Sequence, residues 1–185
     1  MKHKAVFLDR DGVINEVIMR EGKVSCPWKI EEFKILPDVK NYLKSLKEMG
    51  FLNVIFTNQP DISRGFLKRE ELEKMHKIIE EELPVDEIAF CPHDDKDNCS
   101  CRKPKPGLIL EAAKKWSLDL KNSFVIGDGW KDVLAGKSAG CKTILIRRNY
   151  NQDLKDYYDF EVNSLKEAVE IIKKVEKAQY FIQNT

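Results

Sequence analysis

Apolar residues fall along the chain in two alternating patterns. Uniform short runs at residues 5–8, 52–56, 87–90, 124–126 and 143–146 have no polar face, as expected of strands covered on both sides. Between them, apolar positions recur three and four apart. Val39, Tyr42, Leu43, Leu46 and Met49 form a helical stripe that starts after Pro37 and stops at Gly50. Leu72, Met75, Ile79 and Leu83 form a second. A third helix opens near Pro106 and turns Ile109, Ala112, Ala113 and Trp116 inward, and a fourth runs from Trp130 to Gly140. Leu165, Ala168, Val169, Ile172 and Val175 make the last stripe. The alternation predicts one α/β domain over residues 1–185, with a mostly parallel five-stranded sheet between helices. Residues 12–36 and 92–106 keep neither period and read as loops over one end of the sheet. The tail after Lys177 is expected to fray.

Composition narrows the function classes. At 185 residues, 42% hydrophobic and 34% charged, the chain can bury one good core. A net charge of +1 gives no footprint for nucleic acid or an anionic membrane, so neither is expected as a partner. The apolar run at residues 5–8 is too short for a signal-peptide core or a spanning helix, and the expected location is cytoplasmic. Three of the five cysteines crowd between Cys91 and Cys101, which suits a reducing compartment and a metal better than disulfides. The charged helix at residues 68–82 reads as a solvated face.

Reactive side chains sit where the strands end. Asp9 and Asp11 follow the first strand, Thr57 and Asn58 the second, Cys91 and His93 the third, and Asp128 the fourth. In an open parallel sheet these carboxyl ends share one rim, where ligands bind as the strand order reverses. A bare Asp-x-Asp is common in surface turns, but directly after a buried strand the pair can face one ligand, with Gly12 easing the turn. One carboxylate can attack phosphorus to give an aspartyl-phosphate; the other can protonate the leaving alcohol and then activate water. Clustered acids need a cation to approach phosphate, and Asp128 is placed to bind Mg²⁺ with Asp9 and a backbone carbonyl. Asp132, one helical turn on, either supports that site or is an ordinary acid at a helix start. Thr57 and Lys103 offer a hydroxyl and a positive charge to the phosphoryl oxygens.

Cys91, His93, Cys99 and Cys101 give three thiolates and an imidazole in two close pairs, a set suiting tetrahedral structural Zn²⁺ better than free thiols. A loop so poor in apolar residues needs such a clip. His76 reads as a packing residue on a helix border, and Cys26 and Cys141 as small core hydrophobes.

The segments Phe7-Leu8-Asp9-Arg10-Asp11-Gly12-Val13-Ile14-Asn15, Thr57-Asn58-Gln59 with Arg64-Gly65, Cys101-Arg102-Lys103-Pro104 and Gly127-Asp128 together resemble the haloacid dehalogenase superfamily. Within it they are most similar to the capless branch of histidinol-phosphate and heptose-bisphosphate phosphatases, which carries a zinc loop. The resemblance implies a Rossmann-like domain with Asp9 as nucleophile, Asp11 as acid/base, and Thr57 and Lys103 as phosphoryl stabilisers. It also implies Asp9, the Asp11 carbonyl and Asp128 as magnesium ligands, the Cys/His set as zinc ligands, and Arg102 in substrate recognition. One departure is Gly129, where members often carry Lys or Arg; that substrate contact is missing or comes from elsewhere.

The expected substrate is a small phosphate ester. The turn from Asn58 and Gln59 to Arg64, with Pro106-Gly107, is closer to the heptose side; Asn58, Gln59, Arg64 and Arg102 are the candidate substrate contacts, and Arg64 and Arg102 could hold the second phosphate of a heptose 1,7-bisphosphate. The five-residue gap between His93 and Cys99 points instead to histidinol phosphate, whose amine could be drawn by Asp94, Asp95 and Asp97. A receiver domain also combines aspartates, Mg²⁺, Thr and Lys, but has no call for a zinc clip or for Asp11 as a turnover acid. A zinc-dependent interaction module leaves the converging rim segments unexplained, and a nucleic-acid 3′-phosphatase would want a basic surplus.

Overall fold

The structure, a computed structural model, describes residues 2–150 and 157–183. Strands are β1 (Lys4–Leu8), β2 (Ile18–Arg20), β3 (Lys23–Ser25), β4 (Phe51–Asn58), β5 (Glu87–Cys91), β6 (Phe124–Gly127), β7 (Lys142–Ile146) and β8 (Phe160–Val162). Helices are α1 (Val39–Glu48), α2 (Arg69–Glu82), α3 (Gly107–Trp116), α4 (Trp130–Ala139) and α5 (Leu165–Gln183). The main sheet runs β5-β4-β1-β6-β7-β8 with every pairing parallel. It therefore has six strands and not the five expected. The extra one, β8, is a three-residue edge strand whose Phe160-Glu161-Val162 is too short and too mixed to show as an apolar run.

Alternate side chains of the strands feed two cores. Val6 and Leu8 point with Phe124 and Ile126 into a core closed by Leu43 and Leu46 of α1 and Ile172 of α5. Ala5 and Phe7 point with Val54, Phe56 and Val125 into the opposite core, closed by Leu108, Ile109 and Ala112 of α3 and Ala135 of α4. This two-sided burial is why the strands are apolar without alternation. Gly50 and Gly140, both at positive φ, end α1 and α4 where the sequence placed the stops. The tail beyond Lys177 continues α5 to Gln183, and residues 184–185 lie outside the described residues.

The first predicted loop is partly ordered: β2 and β3 pair antiparallel as a small hairpin. Behind it, Trp28 joins Leu67, Leu72 and Met75 in a third apolar cluster. Among the described residues no helix is long and apolar enough to cross a membrane.

Candidate active site

The strand order places β1 at the sheet centre, with connections leading away through β4 and β5 on one side and β6, β7 and β8 on the other. The crevice beyond the carboxyl ends of β1 and β6 is the switch point, where an open sheet binds ligands. Asp9 and Asp128 follow those two strands, and both line a cavity of about 1150 Å³ with Asp11, Thr57, Asn58, Arg64, Arg102 and Lys103.

Asp9 is locked from three sides. Its amide donates to the Ile126 carbonyl at 2.9 Å, while its Oδ1 accepts from the Arg10 amide and from Lys103 Nζ, each at 2.8 Å. Lys103 also reaches Asp132 Oδ1 at 2.6 Å and the Phe56 carbonyl at 3.0 Å. Burial opposes the lysine's charge, but Asp132 and Asp9 together outweigh it and hold the Lys103 pKa above its ordinary value. One ammonium is too little for the carboxylates gathered there. Burial, followed by repulsion from Asp132, raises Asp9 well above the usual carboxylate range and lifts Asp128 to about 7. Carboxylate oxygens of Asp9, Asp128 and Asp132 all lie within 4.8 Å of one another. Three hard anionic donors, short of positive charge and open to the cavity, fit a divalent cation such as Mg²⁺.

Asp11 is anchored differently. Arg10, fully buried, grips it through Nη2 at 2.9 and 3.0 Å, and Asn15 Nδ2 and Gln59 Nε2 add bonds of 2.9 and 2.8 Å. Arg10 is in turn backed by His76, whose Nε2 lies 3.4 Å from Nη1. Burial, then the Arg10 charge, lowers the His76 pKa to about 3 and keeps the ring neutral.

Gly12 explains why the turn tolerates no side chain. Its φ is +86°, and a Cβ there would meet Asp128 Oδ2 at 2.0 Å and the Tyr150 hydroxyl at 2.6 Å.

Several expected substrate contacts are already engaged. Gln59 is fully buried, bonding Asp11 and, at 2.9 Å, the Thr57 hydroxyl. Asn58 lines the cavity but spends both ends of its amide on the Lys103 backbone. Arg64 forks onto Asp94 at 2.9 and 2.7 Å and reaches Asp61 at 3.2 Å. Arg102 donates to Asp95 at 2.7 Å and to the His93 carbonyl at 3.1 Å. Asp94 and Asp95 are therefore paired with arginines.

Three residues at this site escaped the sequence reading, of which Tyr150 and Trp28 line the cavity and Arg148 braces the turn beside it. Tyr150 donates to Asp128 Oδ2, and Arg148 Nη2 donates to the Gly12 carbonyl at 2.6 Å. Both follow β7 by a few residues, and nothing in their surroundings in sequence marks them. Trp28 stacks on Phe66 at 4.9 Å between centroids and 8° between planes, forming an aromatic wall. Asp132 accepts from the Gly129 amide at 2.9 Å while pairing with Lys103, so it is both a helix-start acid and a member of the site.

On the rim, Cys91, His93, Cys99 and Cys101 bring their ligand atoms together. Sulfur pairs stand at 3.1, 3.5 and 3.5 Å, and His93 Nδ1 lies 3.6 Å from Cys91 and 3.4 Å from Cys101. Edges of this length approach those of a tetrahedron around a soft ion with bonds of about 2.3 Å to sulfur. Cys141 is a buried core residue as expected, whereas Cys26 is only half-buried and lines the cavity.

Comparison with known proteins agrees with this geometry. A family model described as HAD-hydrolase-like matches residues 100–168. The chain is 37% identical over 178 residues to the D-glycero-beta-D-manno-heptose-1,7-bisphosphate 7-phosphatase of Helicobacter pylori, covering 92% of this chain and 98% of the relative. It is 34% identical over 180 residues to the alpha-anomer phosphatase of Campylobacter jejuni, covering 94% and 98%. A solved D,D-heptose 1,7-bisphosphate phosphatase from B. bronchiseptica, complexed with magnesium and phosphate, superposes with a TM-score of 0.78 at 27% identity, covering 92% of this chain and 98% of that one. The chain therefore belongs to the haloacid dehalogenase-like hydrolases, in the family of heptose-bisphosphate phosphatases.

Proposed function

We propose that this protein is a Mg²⁺-dependent phosphomonoesterase that removes the C7 phosphate of a D-glycero-D-manno-heptose 1,7-bisphosphate through an aspartyl-phosphate. The observation that carries the chemistry is Asp9, held by Lys103 at the switch point among Asp128 and Asp132, with Asp11 anchored across the same cavity. Mg²⁺ held by Asp9, the Asp11 carbonyl and Asp128 would supply positive charge that lets a phosphate dianion approach these acids.

The Asp9 carboxylate attacks phosphorus, forming the Asp9–phosphate bond as the sugar oxygen leaves, and the Asp11 carboxyl gives that oxygen its proton. Asp11, now a carboxylate, takes a proton from a water that attacks the same phosphorus, releasing inorganic phosphate and restoring Asp9. Thr57 and Lys103 steady the phosphoryl oxygens, and Asn58 holds the Lys103 backbone in place. Arg10, Asn15 and Gln59 fix the carboxylate of Asp11 towards the cavity without touching substrate. Zn²⁺ on Cys91, His93, Cys99 and Cys101 would shape the loop that carries Arg102 and Lys103. Its thiolates suit the reducing cytoplasm.

Two observations support the bisphosphate over histidinol phosphate. Relatives spanning nearly the whole chain are heptose-bisphosphate phosphatases. Of the acids that could attract an amine, Asp94 and Asp95 are bonded to Arg64 and Arg102, and Asp97 accepts from the Asp94 amide. The short gap in the Cys/His loop favours the other substrate, so the two need direct comparison. The expected result is a higher kcat/KM for the heptose bisphosphate of either anomer. A higher value for histidinol phosphate overturns the substrate and leaves the phosphatase chemistry intact.

A further inference from the structure

We propose that Tyr150 is a positioning residue for the magnesium site, its hydroxyl orienting the Asp128 carboxylate for the cation. The proposal rests on the Mg²⁺-dependent reading of the site above.

Sheet register brings Tyr150 to this place. β6 and β7 pair with Gly127 opposite Leu145, so Asp128 and the residues after Ile146 leave neighbouring strands at the same rim. The chain after β7 is then pinned to the catalytic turn. Arg148 Nη2 donates to the Gly12 carbonyl at 2.6 Å, one peptide beyond the Asp11 carbonyl expected to hold the metal. Two residues on, the Tyr150 hydroxyl donates to Asp128 Oδ2. Gly12 gives that hydroxyl its room, since a Cβ there would stand 2.6 Å from it. Asp128 and Tyr150 both line the cavity, so their bond lies at the acid cluster and not in the apolar core.

The chemistry of the donor suits the role. Asp9 and Asp132 are each held by Lys103 and by a backbone amide. A second ammonium placed on Asp128 would cancel charge that a divalent cation needs. A phenol is neutral and donates one hydrogen bond, so it fixes one carboxylate oxygen and leaves lone pairs for the metal. Hydrogen bonds to a ligating carboxylate set its orientation, and losing one costs about ten- to a hundredfold in metal affinity or activity. If Tyr150 only packed its loop against Gly12, its hydroxyl would matter to stability and not to the metal.

The test is Tyr150→Phe, which keeps the ring and removes the hydroxyl. Calorimetric titration of Mg²⁺ into substrate-free protein should give a dissociation constant about tenfold weaker than that of the wild type. With an aryl phosphate, the half-maximal rate should need correspondingly more Mg²⁺, while kcat at saturating Mg²⁺ stays within about twofold. Melting of both proteins without added Mg²⁺ reports packing separately from the metal. An unchanged dissociation constant overturns the role even where the variant melts earlier, because Tyr150 would then serve packing alone. A tighter constant also overturns it, since the hydroxyl would be competing with the cation for Asp128. A wild type that neither binds Mg²⁺ nor needs it overturns the metal reading, and the role of Tyr150 with it.

Discussion

Asp9 and Asp11 are two residues apart yet live in opposite electrostatic settings. Asp9 is crowded by like charges with Lys103 as its close cation; Asp11 is ringed by donors, chief among them a fully buried arginine. The strand-end position of the pair was legible because a turn directly after a buried strand can expose two carboxylates at once. Arg10 between them was not legible as a buried anchor, since arginine is rarely buried without a partner and the partner is its own neighbour in sequence. The place of Gln59 after β4 marks the rim, but only its hydrogen bonds reveal that its amide is engaged by Asp11 and Thr57. If Asp9 is the nucleophile, Asp9→Asn should abolish steady phosphate release from an aryl phosphate at saturating Mg²⁺ while the fold persists, because an amide attacks poorly. Asp11→Asn should slow turnover by about a hundredfold or more. Appreciable turnover by Asp9→Asn would remove the covalent mechanism.

The Cys/His loop and the β2–β3 hairpin show what pattern alone could and could not supply about elements. Both were placed over the rim by their lack of period. The hairpin stayed hidden because Ile18-Met19-Arg20 and Lys23-Val24-Ser25 are three-residue strands around Gly22, too short for alternation to register. The Cys/His loop was legible in its donors, and the structure adds that it leads directly into Arg102 and Lys103 at the cavity. Those residues directly follow Cys101, and Lys105 Nζ ties the strap back to the Asn98 and Cys99 carbonyls at 3.2 and 2.8 Å. A metal in this loop should therefore set the position of the lysine that holds Asp9. Purified protein is expected to carry one zinc per chain by elemental analysis and still to require added Mg²⁺ for activity. Cys99→Ser should lose most of that zinc and lower the melting temperature. Zinc-free wild-type protein, or a Cys99→Ser variant with undiminished zinc, would rule out the assignment.

The whole molecule ties these parts to one sheet, and its pH dependence should reveal one of the knots. His76 of α2 sits against the Phe90 ring of β5 at 5.5 Å and against Arg10 of the catalytic turn, so it joins three segments and is lost from its site only when they separate. Burial and then Arg10 hold its pKa at about 3, whereas in the unfolded chain it returns to about 6.5. A histidine depressed in the folded state contributes its full stability above the unfolded value. That contribution is lost as pH falls from about 6.5 towards 3, because the unfolded chain takes up the proton first. The slope is at most about 1.4 kcal/mol per pH unit over this window. Other groups titrate too: Asp94 is held low by Arg64 and adds acid lability, while Asp128, raised to about 7 by burial, works the other way without Mg²⁺. These are common to wild type and His76→Gln, whose amide oxygen can still accept from Arg10. Urea unfolding of both proteins without Mg²⁺, at several values between pH 7.5 and pH 4 chosen to bracket the window, isolates the difference. His76→Gln should start less stable near neutrality and lose stability with acid less steeply, so that the two curves converge. Parallel curves would mean that His76 takes up its proton in the folded state and that α2 does not hold the catalytic turn in the way its geometry indicates.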